Sequence, residues 1–361
     1  MRTWTRSIEP WPFVLGRELA GVFAIEEWSA VGGDGMVRFR GRLLVDPEAA
    51  MSLLAPRIEP YGYVPMIRSP EEITLIRFQP VSPGATAAWK GWPLNLALFL
   101  ATLLTTLFVG AIMEGAQPFA DPSTLRLGVP FSASLLLILG FHELGHYLTA
   151  RAYGVQVSLP YFVPLPVPPM GTMGAIIRMR SPIPNRKVLF DIGIAGPLLG
   201  LVLAVPVLVI GLVLSPVKPL SGVAVQEGNS LAYLVLKWAV KGPIPEGFDA
   251  ALAGWLGFFV TALNLMPLSQ LDGGHIAYAV LGQGYRKVVW VFLGVLVLLS
   301  VVTHWLGWLV WVALAVALGL RHPPPLDDVT PLDAPRRILA VVALGLLVVL
   351  ITPLPFAVYE F

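Results

Sequence analysis

From Pro93 onward the sequence runs in apolar stretches of about the length of a membrane-spanning helix, and no other feature limits the fold so strongly. Such a helix needs about 20 apolar residues, with a range of about 17–25. Spans are expected near 93–113, 129–150, 191–214 and 250–267. The stretch 288–321 is too long for one helix and breaks at Thr303-His304-Trp305-Leu306-Gly307, so it reads as a hairpin of two short helices. The last span is 337–355. Composition agrees: 56% of the 361 residues are hydrophobic and only 13% charged, where soluble domains carry about 25% charged residues. Mean hydropathy is +0.75. The expected architecture is an α-helical polytopic membrane protein of about seven transmembrane helices.

Residues 1–90 differ from the rest and hold ten of the 24 Lys and Arg residues. In VRFRGRLLV (37–45), Val37, Phe39, Gly41 and Leu43 alternate with Arg38, Arg40 and Arg42, which is strand periodicity. DPEAAMSLLAPRI (46–58) opens with an Asp46 N-cap and Pro47 at the first helical position. YVPMIRS and EEITLIRFQ read as two strands joined at Ser69-Pro70. A small α/β domain over 1–90, outside the bilayer, is therefore expected before a transmembrane domain over 91–361. Residues 1–25 mix Arg, Glu and Trp without a continuous apolar core, so the first span is expected to act as its own insertion signal.

Cytoplasmic loops carry an excess of Lys and Arg. With the N-terminal domain cytoplasmic, that side holds Arg151, Arg178, Arg180, Arg186, Lys187, Arg286, Lys287, Arg321, Arg336 and Arg337. The opposite side holds Arg126, Lys218, Lys237 and Lys241. This asymmetry sets the orientation, in what we expect to be a bacterial cell membrane. A formal net charge of +2 gives no reason to expect a nucleic-acid partner. Two loops are unusual. Residues 154–186 are rich in Pro and Gly yet apolar, and polar backbone at membrane depth survives only where protein or water satisfies it; a re-entrant or interfacial hairpin is expected. LAYLVLKWAVK (231–241) reads as an interfacial helix with Trp238 at the headgroups.

The chain has no cysteine and five histidines, so any metal must be held by His, Asp or Glu. The second expected span contains FHELGH, with His142, Glu143 and His146. Histidines at i and i+4 share one helix face, so both rings can reach one ion, and the adjacent Glu can take a proton from a water acidified by that ion. Each ionisable residue at a helix centre costs about 2.5–3.5 kcal/mol to insert, so three together need compensation. A catalytic zinc site takes three protein ligands and leaves a fourth position open. The remaining candidates are His275, His304, His322 and Asp272. His304 is expected as an interfacial anchor and His322 as a solvated surface residue. Asp272 in NLMPLSQLDGGH can reach the histidines if the chain folds back after Pro267, a turn that Gly273-Gly274 permit. Asp191 is expected to N-cap the third span.

HELGH on one span and N-x-x-P-x-x-x-x-D-G-G on a later one resemble the two signatures of the site-2 protease family of intramembrane zinc proteases. YFVPLP, GTMGAIIRMRSPIPNR, DIGIAGP and QLDGGHIAY are most similar to the branch shared by cyanobacterial-type proteins and the chloroplast gravitropism-deficient-and-yellow-green proteases. The resemblance covers roughly 129–285 and implies a three-helix catalytic core with one catalytic Zn2+ ion, held by His142, His146 and Asp272, with Glu143 as general base. It also implies that Asn264 lies near the substrate backbone or the active-site water, that Gly171 and Gly174 belong to a substrate-binding hairpin near the active site, and that Gly196-Pro197 marks the third core helix. The substrate would be a transmembrane segment of a membrane protein in the lipid bilayer. No PDZ domain or CBS pair is present in the sequence. Two other classes stay open on the residues themselves. Intramembrane His, Glu and Asp also mark ion-coupled transporters, although no twofold repeat relates the two halves. A metal-binding pseudoprotease scaffold is the other, against which the intact Glu143 argues.

Overall fold

A computed structural model of the chain describes residues 11–31, 35–77, 91–215, 218–219, 223–243, 248–249, 253–268 and 270–360. The expected domain boundary at 90 and residues 250–252 of the fourth expected span lie outside these. The described chain is mostly helical and divides into two units.

The first unit contains residues 1–87, 182–187 and 323–332. Its described elements begin with helix α1 (Trp11–Glu18), strands β1 (Phe23–Val31) and β2 (Met36–Leu43), and helix α2 (Pro47–Ile58). Strands β3 (Tyr63–Ser69) and β4 (Glu72–Arg77) complete an antiparallel sheet of order β1-β2-β4-β3. In β2, Val37 and Phe39 are buried and Arg40 is exposed, as the alternation requires. Asp46 caps α2 by accepting from the Ala49 amide at 2.9 Å, with Pro47 at the first turn. Strand β1 is absent from the sequence reading because seven of its nine residues are exposed, so it carries no periodic pattern. Beyond β3 the backbone pairing continues into two distant segments. Ile67 N donates to Leu326 O (2.7 Å), Asp328 N to Ile67 O (3.0 Å), and Leu326 N to Ile183 O (2.9 Å). Arg186 Nε then pairs with the buried Asp328 carboxylate at 3.0 Å.

The second unit is helical, with α3 (Trp92–Met113), α4 (Val129–Ala152), α5 (Arg186–Leu214, entering the unit at Val188), α6 (Leu231–Lys241) and α7 (Ala253–Asn264). Then come α8 (Asp272–Leu281), α9 (Tyr285–Thr303), α10 (Gly307–Leu318) and α11 (Ala334–Leu350). Strands β5 (Tyr161–Pro164) and β6 (Thr172–Ile176) form an antiparallel hairpin inside 154–186. Short pairs join β7 (Lys218–Pro219) to β9 (Phe248–Asp249) and β8 (Val223–Glu227) to β10 (Phe356–Glu360).

Among the described residues four segments are long and apolar enough to cross a membrane: Trp92–Met113, Pro122–Ala152, Arg186–Leu214 and Asp272–Thr303. The chain is a membrane protein, and the described helices do not by themselves establish the seven spans expected from hydropathy. Helix α10 has 12 residues and α11 has 17. At 1.5 Å per residue, 12 residues rise only about 18 Å of an apolar layer about 30 Å thick. The break in 288–321 falls at His304–Leu306, with His304 left-handed (φ 55°) at the end of α9.

Candidate metal centre

Helix α4 places His142, Glu143 and His146 on its buried side, with relative exposures of 3, 4 and 6%. Small residues on α5 let that helix come close. A Cβ on Gly196 would stand 2.0 Å from His146 Nε2, one on Gly200 would stand 3.2 Å from the His142 ring, and one on Gly145 of α4 would stand 2.5 Å from Ala195 O. Any larger residue at Gly196 would occupy the space of the imidazole. The Gly193, Gly196, Gly200 spacing is one face of a helix, a signal in the sequence of which only Gly196 was singled out.

Asp272 arrives by the fold-back expected of it. Helix α7 ends at Asn264, Pro267 follows, and α8 starts at Asp272. The return is tight, since a Cβ on Gly273 would lie 1.9 Å from Leu265 O. Asp272 then occupies the first turn of α8, where the helix dipole favours a negative charge.

The three side chains converge. His142 Nε2 lies 3.0 Å from Asp272 Oδ2, His146 Nε2 lies 3.1 Å from Asp272 Oδ1, and the two Nε2 atoms are 3.1 Å apart. His146 Nδ1 is 2.7 Å from Ile192 O. A carbonyl can only accept, so Nδ1 carries the proton, and whenever the ring is neutral the lone pair lies on Nε2, facing the cluster. Asp272 Oδ2 is buried and has no hydrogen-bond partner despite its nearness to His142. Acceptor atoms packed this closely, one of them orphaned, repel unless something positive lies among them. Donors on one tetrahedral ion at about 2.0–2.1 Å stand roughly 3.3 Å apart, close to the separations found. The donor set therefore fits zinc. Among the described residues this is the one group of three or more His, Cys, Asp or Glu side chains with metal-binding spacing.

Asn264 Nδ2 sits 3.3 Å from His142 Nε2, at the edge of the cluster. The two hairpin glycines are placed differently. Gly171 (φ 73°) is pressed on α3, where its carbonyl accepts from Thr105 Oγ1 at 2.7 Å and a Cβ would meet Thr106 Cα at 2.9 Å. Gly174 (φ 97°) faces open space. Asn95 of α3 donates to Pro160 O at 2.8 Å and so anchors the other arm of the hairpin.

Two expectations are corrected. Asp191 does not cap α5, which begins at Arg186; its carboxylate instead pairs with Arg336. His322 is no surface residue: it is 7% exposed, contacts His275 Nδ1 at 2.6 Å through Nε2, and stacks on Tyr278. Both partners come from distant segments, which local composition does not register.

Comparison with known proteins bears directly on this centre. The model of peptidase family M50 matches residues 130–301. The chain is similar to the probable zinc metalloprotease EGY1, chloroplastic, of Arabidopsis thaliana, at 30% identity over 317 residues, covering 78% of this chain and 56% of the relative. It is similar to the probable zinc metalloprotease EGY2, chloroplastic, of the same plant at 27% identity, covering 90% of this chain and 61% of the relative. The probable zinc metalloprotease EGY3, chloroplastic, of Oryza sativa subsp. indica is 32% identical, covering 68% of this chain and 46% of the relative. The chain thus spans about half of the length of these relatives. No solved structure matches it. The matched stretch contains α4, α5, α7 and α8, and with them every residue of the cluster; residues 130–301 thus form a domain of peptidase family M50, the site-2 proteases, similar to that of the EGY proteins.

Proposed function

We propose that the protein is a zinc-dependent intramembrane endopeptidase that hydrolyses peptide bonds within or near transmembrane segments of membrane proteins. His142, His146 and Asp272 would hold the metal, and Glu143 would be the general base. The observation that carries this reading is the buried triad with an unpartnered Asp272 oxygen, one residue from a buried carboxylate. When bound, zinc supplies Lewis-acid polarisation and lowers the pKa of a coordinated water to about 7.

The chain's own groups do the rest. Glu143 takes the proton of the attacking water and returns it to the leaving amine. Ile192 O holds His146 in one tautomer. Asn264 would donate to the substrate backbone, a role supported by its position beside His142. The β5–β6 hairpin would receive an unwound substrate segment by strand addition along β6, where Met173 and Ile176 are exposed and Gly174 leaves open space. Gly171 serves this indirectly, by seating the hairpin on α3.

We further propose seven crossings, with α7, α10 and α11 as the short members, in a bacterial cell membrane with residues 1–90 cytoplasmic. Loop charge supports this orientation; the chloroplast location belongs to the named relatives. The family match favours neither a carrier nor a scaffold. The test is cleavage of a transmembrane model peptide by purified protein. Activity should vanish with a chelator and in Glu143→Gln while zinc stays bound. Full cleavage by that variant would overturn the mechanism, and ion-dependent transport without cleavage would favour the carrier.

A further inference from the structure

Asp191 lies in the second turn of α5, and the next carbonyl along, Ile192 O, accepts from His146 Nδ1 at 2.7 Å. The Asp191 carboxylate is held on both oxygens. Oδ1 accepts from Arg336 Nε at 2.8 Å, and Oδ2 from Arg336 Nη2 at 2.6 Å and from the Tyr153 hydroxyl at 2.5 Å. Arg336 Nη1 reaches Asp333, ahead of α11. The ends of α4 and α11 are thereby fastened to α5 one residue from the acceptor of a histidine in the cluster.

The pair does more than staple helices together. A bidentate Arg–carboxylate pair fixes orientation as well as distance, unlike a point charge. Next, α5 contains Pro197, whose missing N–H removes the helical bond to Gly193 O. The turn that carries Ile192 therefore loses a restraint from its own ladder, and a brace from outside sets its position. We propose that Asp191 and Arg336 are positioning residues for His146, holding the Ile192 carbonyl so that Nδ1–H stays engaged and Nε2 faces the cluster. This rests on the reading of His146 as a zinc ligand.

Loss of the group that hydrogen-bonds a ligating histidine typically weakens metal binding 10–100-fold, and displacing the Ile192 carbonyl would be such a loss. The test is competition between the full-length protein in detergent and a chromophoric chelator for zinc, alongside thermal unfolding. Asp191→Asn and Arg336→Gln should each weaken zinc binding by about tenfold, and the double variant should be no weaker than either single one, because both remove the same contact. Arg336→Lys keeps the charge without the fork and should fall between. Tyr153→Phe should cause the smallest loss. If the charge-removing variants do not fold, the Lys and Phe variants decide. A lower melting temperature with unchanged zinc affinity would reduce the pair to a staple and overturn the proposal. If the unaltered chain binds no zinc, the functional reading fails and the proposal falls with it; if it binds zinc and the variants bind equally well, only the proposal fails.

Discussion

The sheet unit and the helical unit encode their interiors in different ways. In β2, apolar Val37 and Phe39 face inward while Arg38 and Arg40 do not, so the hydrophobic pattern itself records which side is core. In α5 no such record exists: Leu208 and Leu212 are fully buried, yet Val202 and Leu214 are 70 and 76% exposed. A helix bounded by lipid is apolar on every side, because lipid tails are as apolar as its neighbours. What marks its packed face is small residues and the few polar ones, here Gly193, Gly196 and Gly200. The sheet unit is thus held by apolar volume, and the metal centre by the absence of volume.

That contrast can be broken by substitution. The largest effect is expected where a single methyl is added: Gly196→Ala would place a Cβ 2.0 Å from His146 Nε2, and zinc retention and cleavage should both be lost, measured by metal analysis and peptide cleavage. Retention of zinc would mean that α5 can move away and that the glycine is not the spacer. Glu143→Gln changes no volume. Cleavage should fall by about 10²–10⁴-fold with zinc content unaltered, and loss of zinc together with activity would instead give Glu143 a structural role. Removing methyl groups from the sheet unit should act differently. Leu54 is fully buried on α2, and Leu54→Ala should cost about 2–5 kcal/mol of that unit's stability, seen as faster proteolysis of the N-terminal region. The smallest effect is expected for Asp46→Ala, which leaves the Ala49 amide uncapped and should cost about 1 kcal/mol in the same proteolysis assay.

Legibility follows the same division. Strands β2, β3 and β4 and helix α2 are readable because alternation, a cap and a proline are local signals. Strand β1 escaped, being an exposed edge without a pattern. The attachment of 323–332 to β3, and of 182–187 to 323–332 in turn, escaped as well, since backbone pairing leaves no side-chain signature. Hydropathy located the apolar segments, and four of them are long apolar helices among the described residues; α10, bounded by Gly307 and Gly319, has only 12 residues, a length that hydropathy alone does not set. Asp191 and His322 were misread for one reason: their partners, Arg336 and His275, lie far away in sequence.

The sequence by itself determined that most of this chain belongs in lipid and that His142 and His146 share a helix face beside Glu143. Both follow from local rules, the length of an apolar run and the pitch of a helix. Only the tertiary structure decided how close Asp272 comes to both rings, that Ile192 O fixes one of them, and that Gly196 must stay small. Those depend on how helices approach across a lipid-facing bundle, where uniform apolarity erases the pattern that would have foretold it.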